Sequence, residues 1–203
     1  MVMARILLVR HGQSEWNAEG RWQGQADIAL SELGRAQAKA AVAQLGSFDV
    51  IAASTLIRAS ETAAIIAEGL GIGPVIAVPE LIERSAGEWS GLTRDDIEKQ
   101  FPGYLSANKR PPGYEHDPEL SVRIEAGIET LSEFIGPDET ALVVAHGGII
   151  YVLEDSAGKN RGRISNLGAI WIELNVDGSF EIGERVELIG DEKLSSAQSS
   201  DIL

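Results

Sequence analysis

The stretch Ala4-Arg5-Ile6-Leu7-Leu8-Val9-Arg10-His11-Gly12-Gln13-Ser14 decides the fold. Its four consecutive apolar residues, Ile6 to Val9, are too few for a helix and suit a strand buried on both faces. The run stops at Arg10-His11-Gly12, so a core strand delivers a guanidinium and an imidazole into a glycine-containing turn. Ala141-Leu142-Val143-Val144-Ala145 repeats the pattern and runs into His146-Gly147-Gly148. Two of the chain's three histidines therefore end candidate core strands; the third, His116, does not.

Strand and helix patterns alternate between and around these two points. A helix is expected over residues 30–46, with Ser31 as N-cap and Gly46 as the residue that ends it. Residues 48–54 read as a buried strand. Residues 54–71 read as a helix capped by Ser54, with Ile57, Ile65 and Ile66 near one face and Gly69 and Gly71 closing it. Val75–Val78 is a third strand cut short by Pro79. Thr93 and Asp96 form a capping box for a short helix. Residues 102–119 are rich in Pro, Gly and charge and read as a surface excursion. An amphipathic helix follows over 120–136, then the His146 strand, a helix over 147–158, and a hairpin turning at Asp177-Gly178. The polar tail over about 190–203 is expected to be mobile in part. This order predicts an α/β fold: a three-layer α/β/α sandwich around a mostly parallel sheet, as a single catalytic domain over 1–203. In such sheets, ligands sit beyond the carboxyl ends of the strands.

Composition narrows the function. At 203 residues the chain can bury most of the surface its unfolded form exposes. A net charge of −14 argues against nucleic acid and anionic membranes as partners. An anionic ligand must then be held by a local cluster of arginines and backbone N–H groups. With no cysteine, thiolate metal sites are excluded and a reducing compartment is compatible. The apolar run between Arg5 and Arg10 is too short for a signal-peptide core or a membrane span, so a cytoplasmic location is expected.

Arg58 supplies the cation. It falls in the first turn of its helix, where the backbone already carries partial positive charge, so it is misplaced unless an anion sits there. Arg10, after four apolar residues, also needs a partner. Two arginines, two histidines and turn amides converging on one sheet edge would form a phosphate pocket.

The segments LLVRHGQSEWN (7–17), STLIRASETA (54–63), LIERSAGEWSGL (81–92) and VVAHGG (143–148) resemble, in order, the signature segments of the histidine phosphatase superfamily, in its phosphoglycerate-mutase-like branch. The opening third and the closing SSDIL are also similar to actinobacterial phosphatases of glucosyl-3-phosphoglycerate. The resemblance implies hydrolysis of a small phosphorylated metabolite without metal or cofactor. It implies that His11 becomes phosphohistidine, that Arg10, Arg58 and His146 clamp the phosphoryl oxygens, and that Glu83 is the proton donor. Asn17, Gln23 and the Gly147 amide match further phosphate contacts, and Ser14 is a weaker match of that kind. Relatives are often dimers, which makes a homodimer an expectation.

Three features set this chain apart. Cofactor-dependent mutases usually carry an aromatic residue three positions after the acidic residue, where Ala86 stands, so net hydrolysis is favoured over phosphoglycerate mutase activity. Lys109-Arg110 reads as a solvated loop face or a partial carboxylate grip. Many phosphatase relatives have Gly-Gly-Glu-Ser where this chain has Gly113-Tyr114-Glu115-His116, and His116 reads as a surface histidine or a leaving-group contact. Arg161, Arg163 and Asn166 could steer an anion inward. Glu83 could instead pair with Arg84. A non-catalytic phospho-ligand binding module has no need of an acid beside the anion, and a metal hydrolase lacks close ligand spacing.

Overall fold

A computed structural model describes residues 2–159 and 162–189. The expected tail over 190–203 and Arg161 lie outside the described residues. One six-stranded sheet carries every strand: β1 (Val2–Arg10), β2 (Val50–Ala53), β3 (Ile76–Ala77), β4 (Thr140–Ala145), β5 (Gly168–Asn175) and β6 (Phe180–Glu187). Their order is β3-β2-β4-β1-β5-β6. The first four run parallel, β5 pairs antiparallel with β1, and β6 pairs antiparallel with β5 as the expected hairpin.

Register positions the chemistry. Arg10 pairs with Ala145, and Val144 lies between Val9 and Ala53, so the carboxyl ends of β1, β4 and β2 finish side by side. The next backbone N–H groups continue the ladder: His11 N donates to Ala145 O at 3.1 Å and Ser54 N to Val144 O at 2.9 Å. His11, His146 and Ser54 consequently leave the sheet at one edge.

Alternation along the central strands separates two cores. Ile6, Leu8, Val143 and Ala145 face α5 (Asp117–Ser132) and α6 (Gly147–Ser156). Leu7, Val9, Leu142 and Val144 face α3 (Ile57–Leu70) and the end of α2 (Glu32–Ala41). Both sides of β1 and β4 are dry, which is why their sequences are continuous apolar runs rather than alternating ones. Each fully buried Leu or Ile contributes roughly 1.5–3 kcal/mol relative to exposure.

Two short helices complete the fold: α1 (Glu15–Glu19), capped by Ser14, and α4 (Arg94–Gln100), whose Thr93/Asp96 capping box forms as read. The surface excursion packs through an aromatic cluster of Trp22, Trp89, Phe101, Tyr104 and Tyr114. The Arg110 guanidinium lies 5.7 Å from the Trp89 ring and 5.3 Å from Tyr114, so this arginine clasps the cluster rather than decorating a solvated face.

Two helix ends and one helix face differ from expectation. α2 stops at Ala41 and tightens into a 3₁₀ turn over Val42–Gln44, so Gly46 does not end it. The approach of α3 accounts for the tightening: a Cβ on Gly69 would lie 2.7 Å from Val42 Cγ2. α5 begins at Asp117 rather than Leu120, because Pro118 is tolerated in a first turn and Glu119 accepts the His116 backbone N–H at 2.9 Å. On α3 the buried stripe is Arg58, Ala59, Thr62, Ala63, Ile66 and Ala67, whereas Ile57 is exposed.

Candidate active site

The loop after β1 is held from four sides. Gly12 N donates to Thr62 Oγ1 at 3.1 Å, Gln13 N to Gln37 Oε1 at 2.8 Å, and Asn166 Nδ2 to His11 O at 2.9 Å. The close approach of α2 supplies the fourth: a Cβ on Gly34 would fall 2.0 Å from Gln13 O, so only glycine lets the helix start pack there. His11 Nδ1 lies 2.6 Å from Gly12 O. A carbonyl can only accept, so Nδ1 carries the proton and Nε2 keeps its lone pair.

That lone pair faces Arg58, whose Nε donates to His11 Nε2 at 3.2 Å. Arg58 is fully buried; NH1 and NH2 donate to Ala26 O at 2.7 Å and Gly24 O at 2.8 Å. Burial lowers its pKa to about 10. Arg10 NH1 donates to Ile164 O at 2.6 Å while its Nε has no partner. The His146 ring lies edge-on to His11, centroids 5.2 Å apart, with its Nε2 2.7 Å from Ser54 Oγ. Burial, then the charges of Arg58 and Arg10, hold His11 well below the ordinary imidazole range. Burial, Arg58, His11 and Arg10 do the same to His146. Both rings are therefore neutral at pH 7.

Glu83 approaches from the other wall. Its carboxylate accepts Arg84 N at 2.7 Å and Gly148 N at 3.1 Å, so two backbone amides aim it. Its backbone carbonyl accepts from Arg123 NH2 at 3.3 Å. The Arg84 guanidinium pairs with Asp117 at 2.8 Å, which removes the reading of Glu83 as a salt-bridge partner of Arg84. A cavity of about 200 Å³ is lined by Arg10, His11, Asn17, Gln23, Arg58, Glu83, Gly147 and Gly148, whereas His146 is fully buried against His11 and is not part of the lining.

A profile of the histidine phosphatase superfamily (branch 1) matches residues 6–165. The chain belongs to that superfamily. Glucosyl-3-phosphoglycerate phosphatase of Mycobacterium tuberculosis is 35% identical, over 98% of this chain and 98% of that protein. The 2,3-bisphosphoglycerate-dependent phosphoglycerate mutase of Methylobacterium radiotolerans is 35% identical over 74% of this chain and 78% of the mutase. A solved structure of a mycobacterial glucosyl-3-phosphoglycerate phosphatase with VO3 superposes with a TM-score of 0.77 at 30% identity, over 88% of this chain and 96% of that one.

Within this histidine phosphatase, the segments read from sequence converge as their spacing suggested, while individual atoms have other duties as well. Gln23 Oε1 accepts from Ser14 Oγ at 2.8 Å, and Asn17 Oδ1 accepts from Ser14 N at 3.2 Å. Ser14 thus caps α1 and braces two pocket residues rather than lining the cavity itself. Ser54 is not the cap of α3; Leu56 occupies that position without a side-chain bond. His116 is exposed, lies edge-on to Tyr114 with centroids 5.5 Å apart and stays outside the cavity, in keeping with a surface histidine. Arg163 lines the mouth, whereas Asn166 supports the His11 backbone instead of facing an anion.

Sequence reading missed Trp22, Arg94 and Tyr151 as lining residues. Tyr151 alone had a signal: it stands four residues after Gly147 and so shares its helix face. Among the described residues no three His, Cys, Asp or Glu side chains group to hold a metal ion, and no helix is long and apolar enough to cross a membrane.

Proposed function

We propose that this histidine phosphatase hydrolyses phosphomonoesters of small metabolites through a phosphohistidine at Nε2 of His11. The observation that carries the reading is the bare Nε2 of His11 sharing a cavity with an amide-held Glu83 carboxyl group. Nε2 attacks phosphorus, and the ester P–O bond breaks with its electron pair leaving on oxygen. Glu83, in its acid form, protonates that oxygen and the alcohol departs. Water then attacks phosphorus and gives its proton to the Glu83 carboxylate. The N–P bond breaks, its electrons returning to Nε2, and inorganic phosphate leaves.

Charge spreads over three equatorial oxygens in both steps. Arg10, Arg58, His146, Asn17, Gln23 and the Gly147 amide are assigned to those oxygens. Their cost of orientation is met by the fold, since the Arg58 guanidinium is already fixed by two carbonyls. A neutral His11 suits attack, because an imidazolium has no lone pair to give.

Rapid-quench labelling with a phosphorus-labelled ester tests the reading. The expected result is an acid-unstable, base-stable label that His11→Ala abolishes and Glu83→Gln prolongs. With a nitrophenyl ester, whose leaving oxygen needs no acid, absence of any label in Glu83→Gln would sink it. Transfer of phosphate between positions of 3-phosphoglycerate, faster than its release, would instead identify a mutase, like the Methylobacterium radiotolerans relative. The same reading takes the described residues as one catalytic domain in a cytoplasmic enzyme that assembles as a homodimer. Sedimentation would read the last point.

A further inference from the structure

We propose that Ser54 is a positioning residue that fixes the tautomer of His146, so that His146 offers Nδ1–H to a phosphoryl oxygen. The inference rests on the reading of His146 as a phosphoryl ligand and deepens it. The argument is an account of protons. Both side chains are fully buried, so neither can turn to water. A neutral imidazole carries one N–H, on Nδ1 or on Nε2. The Ser54 hydroxyl makes two bonds: Oγ accepts Leu56 N at 3.3 Å and meets His146 Nε2 at 2.7 Å.

Consider the proton on Nε2. His146 would donate to Ser54, and the hydroxyl hydrogen would have no acceptor among the described residues. His146 Nδ1 would then present a lone pair towards the oxygens of a dianion. The first defect leaves a buried donor unsatisfied, and the second is repulsive. With the proton on Nδ1, every group is served: the hydroxyl donates to Nε2, and Nδ1–H remains as a donor. Nδ1 is indeed the one ring nitrogen of the two active-site histidines that has no protein partner. Its ring is in edge-to-face contact with that of His11, centroids 5.2 Å apart, so a phosphoryl group carried by His11 would lie beside it. Burial and then the neighbouring cations favour the neutral ring, so a directed N–H replaces a full charge at this position.

Only three histidines occur, so ¹⁵N-histidine spectra of the whole protein can be assigned by single replacements. The wild-type protein should show His146 protonated at Nδ1 and bare at Nε2. Ser54→Ala should populate the Nε2–H form and lower kcat/KM by about tenfold to a hundredfold, up to the lower bound of the loss for a removed oxyanion donor. A wild-type spectrum with His146 protonated at Nε2 would overturn the proposal, whatever the variant does. An Ala variant that loses activity with its tautomer unchanged, or changes tautomer with full activity, would overturn it too. A protein with the expected tautomer that never forms phosphohistidine would sink the proposed function and the positioning role with it, leaving the proton account intact.

Discussion

Arg58 donates from Nε to Nε2 of His11 across 3.2 Å, with its other two nitrogens bound to the Gly24 and Ala26 carbonyls. One side chain therefore adds its positive charge to the burial of the imidazole and fixes the loop opposite it. The arrangement keeps the ring neutral by burial and by a fixed positive charge, and that has consequences for stability as well as for reactivity.

Stability should fall in acid before any carboxylate titrates. In the unfolded chain His11 and His146 take up protons near pH 6.5, whereas in the fold both are held well below that value. Below pH 6.5 the unfolded state binds protons that the folded state refuses, so each histidine removes about 1.4 kcal/mol per pH unit until its folded pKa is reached. Above pH 6.5 neither contributes. Urea midpoints at pH 7 and pH 5.5 measure the slope, and His11→Asn/His146→Asn should flatten it. An equal slope in that double variant would refute the assignment.

Glu83→Gln should lose activity in proportion to how badly the leaving group needs a proton. For alkyl phosphates we expect a loss of about 10²–10⁴ in kcat. For a nitrophenyl ester, whose leaving oxygen carries its own charge well, the loss in the first step should be much smaller. Equal losses on both esters, read by burst kinetics, would remove Glu83 from the role of acid.

Gly148→Ala should damage the site while sparing the fold. A Cβ there would lie 2.2 Å from Glu83 Oε1 and 2.9 Å from Arg84 Nε, so the carboxylate must leave its amides. The obstacle is two side-chain ends rather than backbone, so the melting temperature should change little while kcat drops by about 10² or more. A variant with wild-type kcat would show that the Gly148 amide does not aim Glu83.

Ala86→Tyr tests the departure from the mutase pattern. Ala86 is buried, lines the cavity and packs against Gly24, whose added Cβ would lie 2.8 Å from its own, so a larger side chain has room only towards the pocket. kcat/KM should fall more for bulky sugar phosphates than for small esters, with inhibition by inorganic phosphate unchanged. A uniform fall across both ester classes would mean that the residue does not bound the leaving-group space.

Some misreadings share one cause. Ser54 looks like a helix cap because a serine before an apolar helix usually is one, but a partner 92 residues away claims its hydroxyl. Gly46 looks like a helix end, yet the packing of α3 on Val42 tightens the chain earlier. Glu83 looks like a partner for Arg84 until Asp117, 33 residues on, takes the guanidinium. Local rules describe what a residue does with its neighbours in sequence, and each of these groups found a better partner in space.

Read alone, the sequence was sufficient for the alternation of strand and helix, the two apolar runs that end in histidine, and the grouping of cations in a chain of net charge −14. Those features depend on periodicity, burial of whole runs and the chemistry of each side chain, all of which are local. Only the tertiary structure decided that β4 lies between β1 and β2 in the register that aligns their three carboxyl ends. It also decided which imidazole nitrogen is bare and which amides aim Glu83. Those outcomes depend on hydrogen bonds of a few ångströms between segments far apart in the chain, a length scale that spacing along the sequence does not contain.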